Sequence, residues 1–282
     1  MSDEEIRPAW SQQFTKEAIQ ELAAEGPLAG ITREWAWGGS RGKGVRVAIV
    51  DSGVEHDHPA LGEAVRGGVL VEYDTRADNN YRIKPDDKPS DLAGHGTACA
   101  GIIHSIAPDA EIYSVRVLGR NMGGRAIQFA AGLDWAIEND MQVINLSLST
   151  SLEEYFGLFH DLADQAYFKN SVLVSAVNNI SGPSYPSQYS SVISVAANEE
   201  NDPFTYYYNP NPPVEFGAPG IDVEVAWNRK QYITATGNSF AAPHIAALTA
   251  LIRSKHPHLT PFQVKTVLVA CASNPRQKKR SQ

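Results

Sequence analysis

The chain has 282 residues, 43% of them hydrophobic and 20% charged, with a net charge of −8. That suffices to bury a full core in one large domain or two small ones. The acidic balance excludes a general nucleic-acid binder, because phosphate recognition needs a basic surface, and no stretch approaches the roughly 20 apolar residues of a membrane span.

Residues 1–40 read as an N-terminal extension with a helix around Thr15 to Ala24. Its first residues, Met1-Ser2-Asp3-Glu4-Glu5, are acidic and lack the apolar stretch of a secretory signal. With only two cysteines, Cys99 and Cys271, a disulfide framework is not expected and a reducing, cytoplasmic compartment is. A secreted protein is the alternative if the chain is a trimmed mature form. From Val45 the pattern becomes strand-then-helix. Val45 to Val50, Val143 to Leu148, Val172 to Val177 and Val192 to Ala196 are short apolar runs of the kind buried on both faces of a parallel sheet. Glu111 to Val117 alternates more. Between them, His95 to Ser105, Arg125 to Asn139 and Leu152 to Phe168 are helix candidates; Ala126, Ala130, Leu133 and Ile137 carry the spacing of a helix lying on a sheet. Residues 74–91 read as a polar loop holding Asp74, Asp78, Asp86, Asp87 and Asp91. Phe240 to Ser254 reads as a long helix, and Pro261 to Ala270 as another with Thr260 as N-cap. The tail, 274–282, is basic and is expected to be solvated. The fold class expected is α/β with a mainly parallel sheet, whose ligands bind beyond the carboxyl ends of the strands. Asp51 ends the first such strand and Asn178 follows another.

Three short runs carry chemistry. The strand Val45 to Val50 runs into Asp51-Ser52-Gly53-Val54; Gly94-His95-Gly96-Thr97 opens a helix; Gly237-Asn238-Ser239-Phe240-Ala241-Ala242-Pro243-His244 opens another. A serine hydroxyl is a poor nucleophile until a base takes its proton, and the base in turn needs an orienting carboxylate. On these motifs the chain resembles the subtilisin family (subtilases) of serine proteases, over about residues 42–272. The order Asp, His, Ser is the one known for subtilisin itself, so it is recognised rather than derived.

The resemblance implies a three-layer α/β/α subtilisin-like domain over 41–273. It implies Asp51, His95 and Ser239 as a catalytic triad and Asn178 as the oxyanion-hole amide, with Asn179 as the alternative register. It implies a groove for a peptide or protein substrate along Met122, Gly123 and Gly124 on one side and Ser147, Leu148 and Ser149 on the other. Val177 and Ser184 would narrow its first pocket, with Ser184 on the floor. Asn238 and Phe240 depart from the family's usual Thr and Met, and Asn238 could add a donor near the oxyanion. No cofactor is expected and no metal ligand is assigned. A structural calcium remains possible, but the stretch Ile102 to Pro108, where relatives carry a calcium loop, is short. A cation in the acidic loop 74–91 is the less favoured reading of that segment. His56 and His58 around Asp57 are expected to be structural, and Cys99, one helical turn after His95, to be a packed thiol near the triad. Residues 1–25 are expected to pack on the body or cover the groove through Pro8 and Trp10. The activity implied is peptide-bond hydrolysis through an acyl-enzyme on Ser239. Alternatives are a ligase or macrocyclase using the same acyl-enzyme, a leader-peptide-processing protease of narrow specificity, and an inactive binding module.

Overall fold

A computed structural model describes residues 8, 9, 11–19 and 30–274. In chain order the elements are α1 (Lys16–Ile19), α2 (Arg33–Trp37), β1 (Arg46–Asp51), β2 (Val65–Tyr73), β3 (Tyr81–Asp86), α3 (His95–Ile106), β4 (Glu111–Arg116), α4 (Ala126–Glu138), β5 (Val143–Leu146), α5 (Phe156–Phe168), β6 (Val172–Ala176), β7 (Ile193–Asn198), β8 (Tyr207–Tyr208), β9 (Phe216–Pro219), β10 (Val223–Trp227), β11 (Gln231–Ala235), α6 (Asn238–Lys255) and α7 (Pro261–Cys271).

Nine strands form one sheet in the order β3-β2-β4-β1-β5-β6-β7-β9-β8. All its pairings are parallel except the two edges, β2 with β3 and β9 with β8. The apolar runs of the sequence are the central strands. Their side chains alternate between two cores: Val47 and Ile49 face one, Ala48 and Val50 the other. The first core also holds α3, α6 and α7, and the second holds α4 and α5. The result is the three-layer α/β/α arrangement that the resemblance implies.

Two registers place the functional segments. β1 lies between β4 and β5, with Asp51 beside Arg116 and Val50 beside Leu146. β6 lies beside β5, with Ser175 opposite Leu146. The carboxyl ends of β1, β5 and β6 therefore emerge side by side and deliver Asp51, Ser147 and Asn178 to one rim. α6 runs behind them and is buried along nearly its whole length, Phe240 to Arg253. Each large apolar side chain so buried is worth about 1.5–3 kcal/mol, which anchors Ser239 at the amino end of this helix.

Several expectations need correction. Residues 74–91 are not a loop throughout: Tyr81–Asp86 pairs antiparallel with β2, and Asp74 is bonded to Arg76 and Arg82 at 3.2 and 2.6 Å. Residues 102–106 belong to α3, so only 107–110 connect it to β4. The helix expected over Thr15 to Ala24 covers Lys16–Ile19; residues 20–24, Trp10 and the tail beyond Asn274 lie outside the described residues. Part of the N-terminal extension is integrated into the body. In α2, Arg33 donates to the Cys271 carbonyl at 3.0 Å, and Trp35 stacks on His256 with centroids 4.1 Å apart. Among the described residues no helix is long and apolar enough to cross a membrane.

Candidate active site

Asp51 closes β1 and is fully buried. Its carboxylate accepts the Ser52 N–H at 2.7 Å and faces His95 Nδ1 at 2.8 and 2.9 Å through its two oxygens. Such an arrangement fixes the imidazole tautomer, with the proton on Nδ1 and Nε2 left to accept. His95 is the first residue of α3, behind Gly94 at φ +105°, where a Cβ would lie 2.5 Å from the Trp227 ring. At Gly96 a Cβ would lie 2.0 Å from the Gly53 carbonyl. Glycines flank His95 because backbone and ring approach too closely for any side chain.

Asp91, read from sequence only as one acid of a polar loop, organises this corner. One of its oxygens accepts from Ser52 Oγ (2.8 Å), Ala93 N–H (2.9 Å) and Gly94 N–H (2.8 Å), the other from Thr97 N–H and Thr97 Oγ1 (2.8 and 2.7 Å). A carboxylate on the leading N–H groups of a helix satisfies orphan donors and suits the helix dipole. Burial alone would lower the His95 pKa. The charge and hydrogen bond of Asp51, with the further charge of Asp91, outweigh it, so the net shift is upward.

Ser239 is the second residue of α6. Four residues on stands Pro243, which has no N–H to give the Ser239 carbonyl. That carbonyl is taken instead by Ser147 Oγ at 2.8 Å and approached by Cys99 Sγ at 3.6 Å, and Asn145 Nδ2 donates to Ser147 Oγ at 3.0 Å. The Ser239 hydroxyl donates to the Ser147 carbonyl at 3.2 Å. A nucleophile–base hydrogen bond that is not closed without substrate is common, and it tightens in the complex. His95 lies beside the start of α6, its ring 5.4 Å from that of Phe240. Cys99 Sγ sits 3.9 Å from Asp51 Oδ2 in the same packing. Burial, then the Asp51 charge, push its thiol pKa well up, so it is a packed, protonated thiol. Among the described residues Asp51, His95 and Cys99 are the one set of three potential ligand side chains close enough to share an ion.

Asn178 follows β6. Its Oδ1 accepts the Ile180 N–H at 3.2 Å, while its Nδ2 is bonded to nothing among the described residues, and the residue lines the cleft beside Ser239. Asn179 is turned differently, its Oδ1 holding the Asn238 N–H at 3.0 Å. Asn179 Nδ2 likewise has no partner among the described residues and Asn179 also lines the cleft, so the two differ in their oxygens: that of Asn179 is tied to the start of α6, that of Asn178 to its own turn. Asn238 has no donor to spare: its Nδ2 donates to the carbonyls of Ala9, Val177 and Asn178 at 3.0, 3.2 and 3.3 Å. The extra oxyanion donor suggested by the sequence is committed elsewhere.

The cleft itself measures about 370 Å³ and is lined by Met122, Gly123 and Gly124, by Ser147, Leu148 and Ser149, and by Val177. All seven residues were expected there. Ser184 was expected on the floor, but it is fully buried and lines no part of the cleft. Its Oγ accepts the Asn178 N–H at 2.9 Å and bonds Ser187 Oγ at 2.7 Å, so it supports Asn178 from behind. His56 and His58 hold backbone: Pro89 O at 3.0 Å and Gln231 O at 3.1 Å, while Asp57 pairs with Lys230 at 2.7 Å.

Residues 42–282 match the subtilase family (peptidase S8). The chain belongs to this family. This subtilase is 34% identical over 236 residues to the thermostable alkaline protease of Halalkalibacterium halodurans, a match covering 79% of this chain and 61% of that protein. It is 34% identical to the minor extracellular protease Epr of Bacillus subtilis, covering 84% of this chain and 36% of that one. These alignments therefore span less than two thirds of either relative. Subtilisin DY of Bacillus licheniformis is 31% identical over 84% of this chain and 86% of its own length. Among solved structures, a cold adapted subtilisin-like serine proteinase superposes with a TM-score of 0.66 at 24% identity, over 86% of this chain and 88% of that one. A lanthipeptide protease superposes with a TM-score of 0.64 at 24% identity, over 81% and 80%. At that identity the structural likeness speaks for the fold.

Proposed function

We propose that the chain is a serine endopeptidase working through an acyl-enzyme on Ser239. The observation that carries the reading is the Asp51 carboxylate on His95 Nδ1, packed against the helix start that presents Ser239. Ser239 Oγ bonds to the scissile carbonyl carbon as His95 Nε2 takes its proton. The carbonyl oxygen becomes an oxyanion, held by the Ser239 N–H at the helix start and by Asn178 Nδ2. The carbon–nitrogen bond then breaks, and the proton passes from His95 to the leaving amine. Water, deprotonated by the same histidine, releases the acid and regenerates Ser239.

The substrate is a peptide or protein segment lying extended between 122–124 and 147–149, paired by main-chain hydrogen bonds. The second strip is pinned at Thr150, which exchanges two 2.9 Å backbone bonds with Tyr185. Val177 narrows the pocket; Ser184 contributes support only. No cofactor enters the chemistry. α3 is joined to β4 by the four-residue turn 107–110, whose Asp109 pairs with Arg41 at 2.9 Å, which supports the reading that the calcium loop of relatives is shortened here. Two free, buried cysteines fit a reducing compartment.

Product mass on a defined peptide library tests the activity. Fragments whose summed mass exceeds the substrate by one water support hydrolysis, and their ends report whether specificity is broad or confined to one leader-like site. Cyclic or spliced products would replace hydrolysis by capture of the acyl-enzyme with an amine, and an unchanged library would contradict both.

A further inference from the structure

We propose that the N-terminal segment around Ala9 is a working part of the oxyanion hole, coupled to it through Asn238 as a positioning residue. The proposal rests on the reading of Ser239 and Asn178 above and adds what holds them in place.

Asn238 is fully buried, and every polar atom of its side chain is used. Oδ1 accepts the Ala197 N–H at 2.9 Å, from β7. Nδ2 faces three carbonyls, two of them, those of Val177 and Asn178, on either side of the Asn178 α-carbon and the third on Ala9. Ala9 answers in the opposite direction, its N–H donating to the Asn179 carbonyl at 2.7 Å. Residue 9 thus bonds both to the turn that presents Asn178 and to the residue before Ser239. These are the two donors that must meet on one oxygen.

The segment is anchored on both sides of Ala9. Pro8 is buried, and its carbonyl accepts Ser11 Oγ at 2.6 Å. Phe14 is fully buried in a small cluster with Val177, and its ring occupies the space over Gly217, where a Cβ would lie 2.3 Å away. None of residues 8, 9 or 11–19 lines the cleft. These described residues therefore do not line the groove; they brace the wall behind it. An amide facing the carbonyls of 177 and 178 keeps their peptide planes turned toward α6, which leaves the Asn178 side chain on the cleft side. A 1 Å error in such a constellation costs on the order of 10²-fold in rate.

The test compares the full chain with Ala9→Pro, which removes the N–H to Asn179 and fixes the backbone at residue 9, with Asn238→Asp, which removes the donors and sets a carboxylate oxygen among carbonyls, and with Ser239→Ala as reference. Peptide-anilide kinetics, the Ki of a peptide aldehyde whose hemiacetal oxygen occupies the oxyanion site, and thermal melts are read together. The expected result for Ala9→Pro is a kcat lower by about tenfold or more at a temperature where the chain is folded, a KM within about twofold, and an aldehyde Ki that rises in step with kcat. Asn238→Asp gives the same signature, more strongly. A lower melting temperature with kcat and aldehyde Ki unchanged would make the segment a mere stabiliser and overturn the proposal. An inert Ser239→Ala beside an unaltered Ala9→Pro overturns the bracing role alone, whereas an active Ser239→Ala overturns the reading of Ser239 and this inference with it.

Discussion

The amino ends of α3 and α6 meet at one site and are finished in opposite ways. At α3 the N–H groups around the helix start are taken by side chains: Asp91 takes those of Ala93, Gly94 and Thr97, and Ser52 Oγ takes that of Gly96 at 3.2 Å. At α6 the Asn238 N–H goes to Asn179 and the Phe240 N–H to the Gly237 carbonyl. Among the described residues no carboxylate bonds this helix start and the Ser239 N–H has no partner, while Ser239 and Asn178 both line the cleft. A helix start is an anion site by construction. In the proposed function, one is plugged by a permanent anion beside His95, and the other is left open for an anion that exists only during the reaction.

The sharpest way to break that contrast is to plug the open end. Asn178→Asp places a carboxylate where the oxyanion forms and is expected to lower kcat by more than about 10³-fold. Asn178→Ala, which merely removes a donor, costs about 10²–10³-fold, a magnitude measured on subtilisin itself. In both, KM on a peptide anilide should change little; a loss carried by KM would assign Asn178 to ground-state binding.

Unplugging the filled end should do something different in kind. Asp91→Asn keeps one acceptor but loses the charge, and hydrogen bonds to charged groups are worth about 1.5–3 kcal/mol. The expected outcome is a melting temperature lower by roughly 4–8 °C, with kcat within about tenfold. A large kcat loss without a change in melting would mean that Asp91 acts on the reaction directly.

The pH profile sharpens the account of His95. Its pKa is raised in the folded chain, and the neutral form is the base, so the acid limb of kcat/KM should lie above the ordinary imidazole value of about 6.5. The protonated form is the one favoured by folding. Its contribution to stability is therefore complete below the unfolded pKa and lost as pH rises through the folded one. In Asp51→Asn the limb should move down while kcat falls by about 10⁴-fold, a size known from subtilisin. A limb that stays put would remove Asp51 as the source of the shift. The smallest effect expected is that of a chelator: EDTA should leave the melting temperature within about 1 °C, against the turn 107–110 holding calcium.

Much of this was legible in the chain. The parallel strands announce themselves because burial on both faces demands near-continuous apolar runs, and the chemistry of Asp51, His95 and Ser239 is carried by motifs next to those strands. β3 and β11 escaped because they are half-exposed antiparallel strands, with polar residues on the open face. Ser184 was misplaced because sequence gives its neighbours but not the direction of its hydroxyl, which turns inward to Asn178. Asp91 and Asn238 look like loop and turn residues. Their roles depend on partners 39 and 229 positions away, Ser52 and Ala9, and no local pattern encodes such separations.

The most direct test of the central claim is covalent labelling of the full chain with a fluorophosphonate at neutral pH, with the adduct mapped by mass spectrometry. A single adduct on Ser239, slowed strongly in Asn178→Ala and absent in Ser239→Ala, is the result expected of an activated serine beside an open oxyanion site. No adduct, or one on another residue, would contradict it.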